Sequence, residues 1–93
     1  MRAIATGALL KDAEVGVGRG RKYARATLRE RDSETSFFVV FADEGTQAFQ
    51  ILSRARQGEA LSVQGVLTLG TFEKGGIIKA SVDLKATRIH ELK

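Results

Sequence analysis

Apolar and polar positions alternate with period two along most of this chain, and ten glycines with no proline punctuate the pattern. Lys22–Arg31 shows it most clearly. Ala24, Ala26 and Leu28 fall on one face, while Tyr23, Arg25, Thr27, Arg29 and Arg31 fall on the other. The first face is small and apolar enough to line a barrel. The second holds three arginines and a tyrosine, with no acidic residue. Asp32-Ser33-Glu34-Thr35 reads as a short polar turn, and Ser36–Ala42 is rich in Phe and Val, which suit a pleated, half-buried surface. There Phe37, Val39 and Phe41 share one face, and Phe38, Val40 and Ala42 share the other. A strand apolar on both sides packs one face inside and offers the other to a helix, a partner subunit or a ligand.

The remaining segments complete the order. Arg2–Leu10 is a short strand interrupted by Gly7, where a barrel corner is expected. Lys11–Val15 leads into Gly16-Val17-Gly18-Arg19-Gly20-Arg21, read as a flexible basic hairpin loop. It lacks the Gly-Lys-Ser/Thr ending of a phosphate loop and does not open a helix. Over Asp43–Gln57 the period changes: Ala48, Phe49, Leu52 and Ala55 recur at helical spacing, with Ile51 widening the stripe. Asp43 is the expected N-cap, Arg54 and Arg56 suit the last turn, and Gly58 supplies the stop. Two long strands follow, Ala60–Phe72 bending at Gly65 and Ile77–Leu92, joined by the Glu73-Lys74-Gly75-Gly76 hairpin. Three strands, a helix and two strands give the order β-β-β-α-β-β. The expected fold is all-β: a five-stranded OB-fold Greek-key barrel with one helix between its third and fourth strands, as a single domain over residues 1–93.

Lys and Arg number 15 against 11 Asp and Glu, for a net charge of +4, and nine of the cations are arginine. Arginine is the better phosphate fork and the better stacker, so this balance favours an anionic partner. Cysteine is absent and His90 is the sole histidine, which leaves no thiol nucleophile, no Cys-based zinc site, no metal motif and no nucleophile–base pair. No catalytic residue, metal or other cofactor is expected, and the chain is not expected to be an enzyme. No stretch approaches the ~18 apolar residues of a membrane span. Met1-Arg2-Ala3-Ile4 enters a strand pattern at once, so a cytoplasmic protein without membrane contact is expected.

Several segments resemble bacterial single-stranded DNA-binding proteins across nearly the whole chain. Thr6-Gly7-Ala8-Leu9-Leu10-Lys11-Asp12-Ala13-Glu14 is similar to that family's opening G-x-L-x-x-D-P-E, with Ala13 in place of proline. Tyr23–Leu28 is similar to its V-A-x-F-x-L, Phe38–Phe41 to its V-V-x-F, and Gly58–Leu67 to its K-G-x-x-V-x-V-x-G-x-L. The resemblance implies an OB-fold, places stacking aromatics at Phe41 and at or beside Phe72, and implies assembly into a homodimer or homotetramer. Three features depart from the family. The hairpin between strands two and three is cut to about four polar residues, Thr35 stands where the family has a tryptophan, and with Leu92-Lys93 closing the sequence no linker and acidic tip are expected. A short form of this kind also resembles primosomal protein B, a replication-restart factor.

Together these readings predict a sequence-tolerant binder of single-stranded DNA, with RNA as the alternative nucleic acid, active in replication, recombination or repair. Arg19, Arg21, Lys22, Arg25, Arg29, Arg31 and Lys74 are the expected phosphate contacts. Tyr23, Phe37, Phe41 and Phe72 are the expected stacking rings. The competing reading is a scaffold barrel whose apolar third-strand face builds an oligomer or docks a replication or recombination protein.

Overall fold

The alternating segments bury their apolar faces by curling around one another until the sheet meets itself. In the computed structural model, which describes residues 1–31 and 37–92, the strands are β1 (Arg2–Leu9), β2 (Glu14–Gly18), β3 (Arg21–Glu30), β4 (Phe37–Asp43), β5 (Ala60–Lys74) and β6 (Ile77–Leu92). One helix, α1 (Gln47–Leu52), lies between β4 and β5. The polar turn expected at Asp32–Thr35, together with Ser36, falls outside the described residues, as do the side chains of Phe72, Lys79, Ala80 and Ser81.

Five strands form a ring in the order β1-β5-β6-β4-β3, closed by β1 against β3. All ring pairings are antiparallel except β4 with β6, which run parallel. This is the Greek-key arrangement of the OB-fold. Ala24, Ala26 and Leu28 of β3 and Val40 and Ala42 of β4 point inward, as their alternation predicts. Leu61, Val63, Leu84 and Ile89 complete a core in which each fully buried aliphatic contributes about 1.5–3 kcal/mol.

Closure needs sharp local bends. At Gly65 the register slips, with Gln64 opposite Arg88 and Gly65 opposite Ala86, so Thr87 is the extra residue of a bulge. A side chain at Gly65 would run into the Lys85 carbonyl, and one at Gly7 into the Arg29 carbonyl where β1 crosses β3. Both bends expected from sequence are therefore close backbone approaches.

Two expectations are corrected. The stretch read as a flexible basic loop is largely strand. Glu14–Gly18 pairs with β3 from Gly18↔Arg21 to Glu14↔Arg25, along the edge whose far end holds β1. Only Arg19 and Gly20 turn, both with left-handed φ (54° and 76°), as a two-residue hairpin requires. Gly16 and Gly18 escaped recognition as strand residues because glycine lacks the side chain that period-two patterns rely on.

The helix is also shorter than Asp43–Gln57. Asp43 ends β4 opposite Tyr23, Gly45 turns the chain at φ 90°, and the N-cap is Thr46, whose Oγ1 accepts from the Phe49 N–H at 3.1 Å. At the other end, tertiary partners take the backbone groups a longer helix would use. The Ala55 carbonyl accepts from the Ala13 N–H (3.1 Å), and the Gln57 N–H donates to Asp12 Oδ1 (2.8 Å). Arg54 and Arg56 thus lie beyond the helix, while Ala48, Leu52 and Ala55 are buried as their spacing predicts. The Gln47 amide fastens α1 to the barrel, its Nε2 donating to the Ile89 carbonyl (2.9 Å) and its Oε1 accepting from the Ile89 N–H (3.1 Å).

Candidate nucleic-acid interface

The outward faces of β3, β4 and β6 form one continuous surface, and register decides which side chains meet on it. Arg29 stands opposite Phe37, Thr27 opposite Val39, Arg25 opposite Phe41 and Tyr23 opposite Asp43. On the far side of β4, Val39 faces Asp83 and Phe41 faces Lys85. Arginines on one strand therefore alternate with aromatic rings on the next, an arrangement that neither strand's sequence contains alone.

Phe41 is the hub of this surface. Its ring centroid lies 6.4 Å from that of Tyr23 at an interplanar angle of 49°, and the Arg25 guanidinium carbon lies 6.0 Å from the Phe41 centroid. Those distances allow edge-inclined aromatic packing and a cation–π contact. Both rings are half-buried against the sheet, whereas Phe37 is 44% exposed. The Tyr23 ring extends over β2, so a side chain at Gly16 would meet its hydroxyl and ring at 2.7–2.8 Å, and one at Gly18 would touch it at 3.6 Å. The two glycines thus give Tyr23 a flat backbone bed, which is their role here in place of flexibility.

The surface is more mixed in charge than β3 alone suggests. Glu14 stands opposite Arg25, Asp83 opposite Val39, and Asp43 opposite Tyr23. Asp43 Oδ2 lies 2.9 Å from Lys85 Nζ, the one ion pair of this face among the described residues. Sequence reasoning missed Glu14, Asp83 and Lys85 because their placement depends on register between distant strands, and Asp43 because it was expected to cap the helix. Lys85 did carry a local signal, being the outward residue between buried Leu84 and Ala86.

The other expected contacts are distributed more widely. Arg21 shares the face of Tyr23 and Arg25 by alternation, whereas Lys22 alternates with inward-pointing Ala24 and stands on the opposite side of β3. Arg19 occupies the β2–β3 turn. Arg31 follows the end of β3, its N–H donating to the Thr6 carbonyl at 2.9 Å, and it lines with Arg29 a groove of about 430 Å³ floored by Gly7 and Ala8. Lys74 is exposed beside the Gly75–Gly76 turn, and the Phe72 backbone pairs with Lys79. Both belong to the part of β5 and β6 that projects past the ring, beyond the last pairings with β1 at Val66 and with β4 at Asp83. The expected sites therefore divide between the barrel face and this two-stranded arm.

Two solved structures share this architecture. The chain matches the small single-stranded DNA-binding protein of Streptomyces coelicolor with a TM-score of 0.79 at 22% identity, over 98% of this chain and 93% of that one. It matches the single-stranded DNA-binding protein of Thermus aquaticus with a TM-score of 0.77 at 22% identity, over 99% of this chain and 40% of that one. The fold is an OB-fold barrel. No protein-family model matches the chain, and no curated protein matches it in sequence. Among the described residues no group of His, Cys, Asp and Glu could hold a metal ion, and no helix is long and apolar enough to cross a membrane.

Proposed function

We propose that this chain binds single-stranded DNA without catalysis and with little sequence preference. The observation that carries the reading is the interleaving of Arg25, Arg29, Tyr23, Phe37 and Phe41 on one sheet face. Guanidinium groups hold a phosphate backbone wherever it runs, and aromatic faces accept any base, because every base has a π-face. Supporting it, both solved proteins named above are described as single-stranded DNA-binding proteins. Arg19, Arg21 and Arg31 extend the cationic path along β3. Phe72 and Lys74 offer a second contact on the arm, and exposed Lys22 adds long-range attraction. Replication, recombination or repair in the cytoplasm is where such a binder meets its ligand.

The protein works as a homodimer or homotetramer on this reading. Leu69, Ile77 and Ile78 of the arm are each more than 60% exposed and place apolar side chains on both faces of the ribbon, a surface suited to another copy.

The test is a fluorescence-anisotropy titration of oligo-dT, duplex DNA and RNA across salt concentrations, with wild type and Arg29→Ala. Single strands should bind best, with a log–log salt slope of about −0.7 for each phosphate neutralised. Arg29→Ala should weaken all sequences alike and flatten the slope. Tighter binding to duplex, or no dependence on salt, would sink the proposal and favour a protein-docking barrel.

A further inference from the structure

The Asp43–Lys85 pair does not fit a face made only to hold phosphates. Its atoms lie 2.9 Å apart, yet the side chains stay 47% and 65% exposed, and ion pairs this open add little to stability. Its position is the more telling feature. Asp43 follows Phe41 by two residues on β4, so it shares that ring's face, and Lys85 stands directly opposite Phe41 on β6. Arg25 stands opposite Phe41 on the other side, over the ring. A base stacked on Phe41 with its phosphate held by the β3 arginines would have its far edge toward β6, within reach of the Asp43 carboxylate that leans to Lys85. Lys85 engages Oδ2, and Oδ1 has no partner among the described residues.

Building on the single-strand reading above, we propose that Asp43 is a specificity-determining residue that accepts a hydrogen bond from the exocyclic amino group of a base stacked on Phe41. At this one position an otherwise sequence-tolerant interface then favours amino-bearing bases over thymine. Cytosine and thymine make the clean comparison, since their rings have equal size and similar stacking area. At position 4 cytosine presents an amino donor and thymine a carbonyl acceptor, so a carboxylate attracts the first and repels the second. Lys85 holds the carboxylate in place and offers a donor to a neighbouring acceptor on the same base edge.

The experiment measures affinities for oligo-dC and oligo-dT of equal length, at neutral pH and one salt concentration, for wild type, Asp43→Asn and Asp43→Ala. Thermal unfolding of each protein is recorded alongside. The dC:dT affinity ratio should fall about five-fold or more in both variants, with unfolding unchanged. An unchanged ratio, with both oligonucleotides bound more tightly and a salt slope steeper by about 0.7, would mean that Asp43 merely occupies Lys85, and would overturn the inference. Failure of the wild type to bind either oligonucleotide would instead overturn the single-strand reading itself.

Discussion

At the scale of single residues, the proposed single-strand reading makes Phe41 and Tyr23 stacking platforms. A ring useful for stacking must be anchored on one face and open on the other. Phe41 lies half-buried on the sheet between Arg25 and Lys85, with the Arg25 guanidinium carbon 6.0 Å over its ring, where a base would share the cation. Phe41→Ala should cost about 1–3 kcal/mol of single-strand affinity, and Phe41→Trp should retain it, as titration of both variants will show. Tyr23 depends on what is missing beneath it. Gly16→Ala puts a methyl within 2.7 Å of the Tyr23 hydroxyl, and because the obstacle is the end of a side chain, the ring should shift while the fold survives. The chain contains one tyrosine and no tryptophan, so its intrinsic fluorescence reports on this ring alone. Single-stranded DNA should quench that emission in the wild type and quench it less in Gly16→Ala. Equal quenching in both would separate the glycine bed from binding.

At the scale of elements, α1 has only six residues, too few to hold a helix on propensity alone. Its stability comes from the Thr46 cap, the buried Ala48 and Leu52, and the Gln47 amide on the Ile89 backbone. Replacing Gln47 with Leu removes both amide hydrogen bonds at once and strands the half-buried Ile89 peptide groups. Thermal or denaturant unfolding should show a loss of about 1–3 kcal/mol, with nucleic-acid affinity at saturating fold stability unchanged. The helix was legible in sequence as an apolar stripe but not in its limits, because Asp12 and Ala13, more than forty positions away in sequence, decide where the backbone leaves the helix. The candidate site was legible to a similar degree. The arginines of β3 and the apolar β4 were both readable from alternation, but Glu14 and Asp83 belong to other strands and appear only with register, while Asp43 is the end of β4 and not the helix cap its sequence suggests.

At the scale of the whole molecule, the proposed reading gives exposed apolar residues of the barrel face and of the arm two different roles. Phe37, Val39 and Phe41 are committed to the candidate interface, so they are poor subunit contacts if that face binds DNA. Leu69, Ile77 and Ile78 remain exposed on a ribbon that no other strand among the described residues covers, and two-stranded ribbons are marginal unless packed. Sedimentation at micromolar concentration should therefore give a mass of two or four chains, and Ile78→Lys should shift it toward one without changing the barrel's far-ultraviolet circular dichroism. A wild-type mass of one chain would remove the arm from consideration as a subunit contact.

What the linear order of residues determined by itself is whatever depends on neighbours in the chain. The period of alternation set the strands, the inward small residues of β3 implied a tight barrel, and Gly7 and Gly65 marked its bends. These follow from backbone geometry, which acts over a few residues at a time. Only the tertiary structure decided the rest. It made Glu14–Gly18 a strand by giving it β3 as a partner, cut the helix to Gln47–Leu52 by capturing its last backbone groups, and brought Lys85 to Phe41 and Asp43. Each of these depends on pairing between segments far apart in sequence, where hydrogen bonding and packing across strands outweigh local preference.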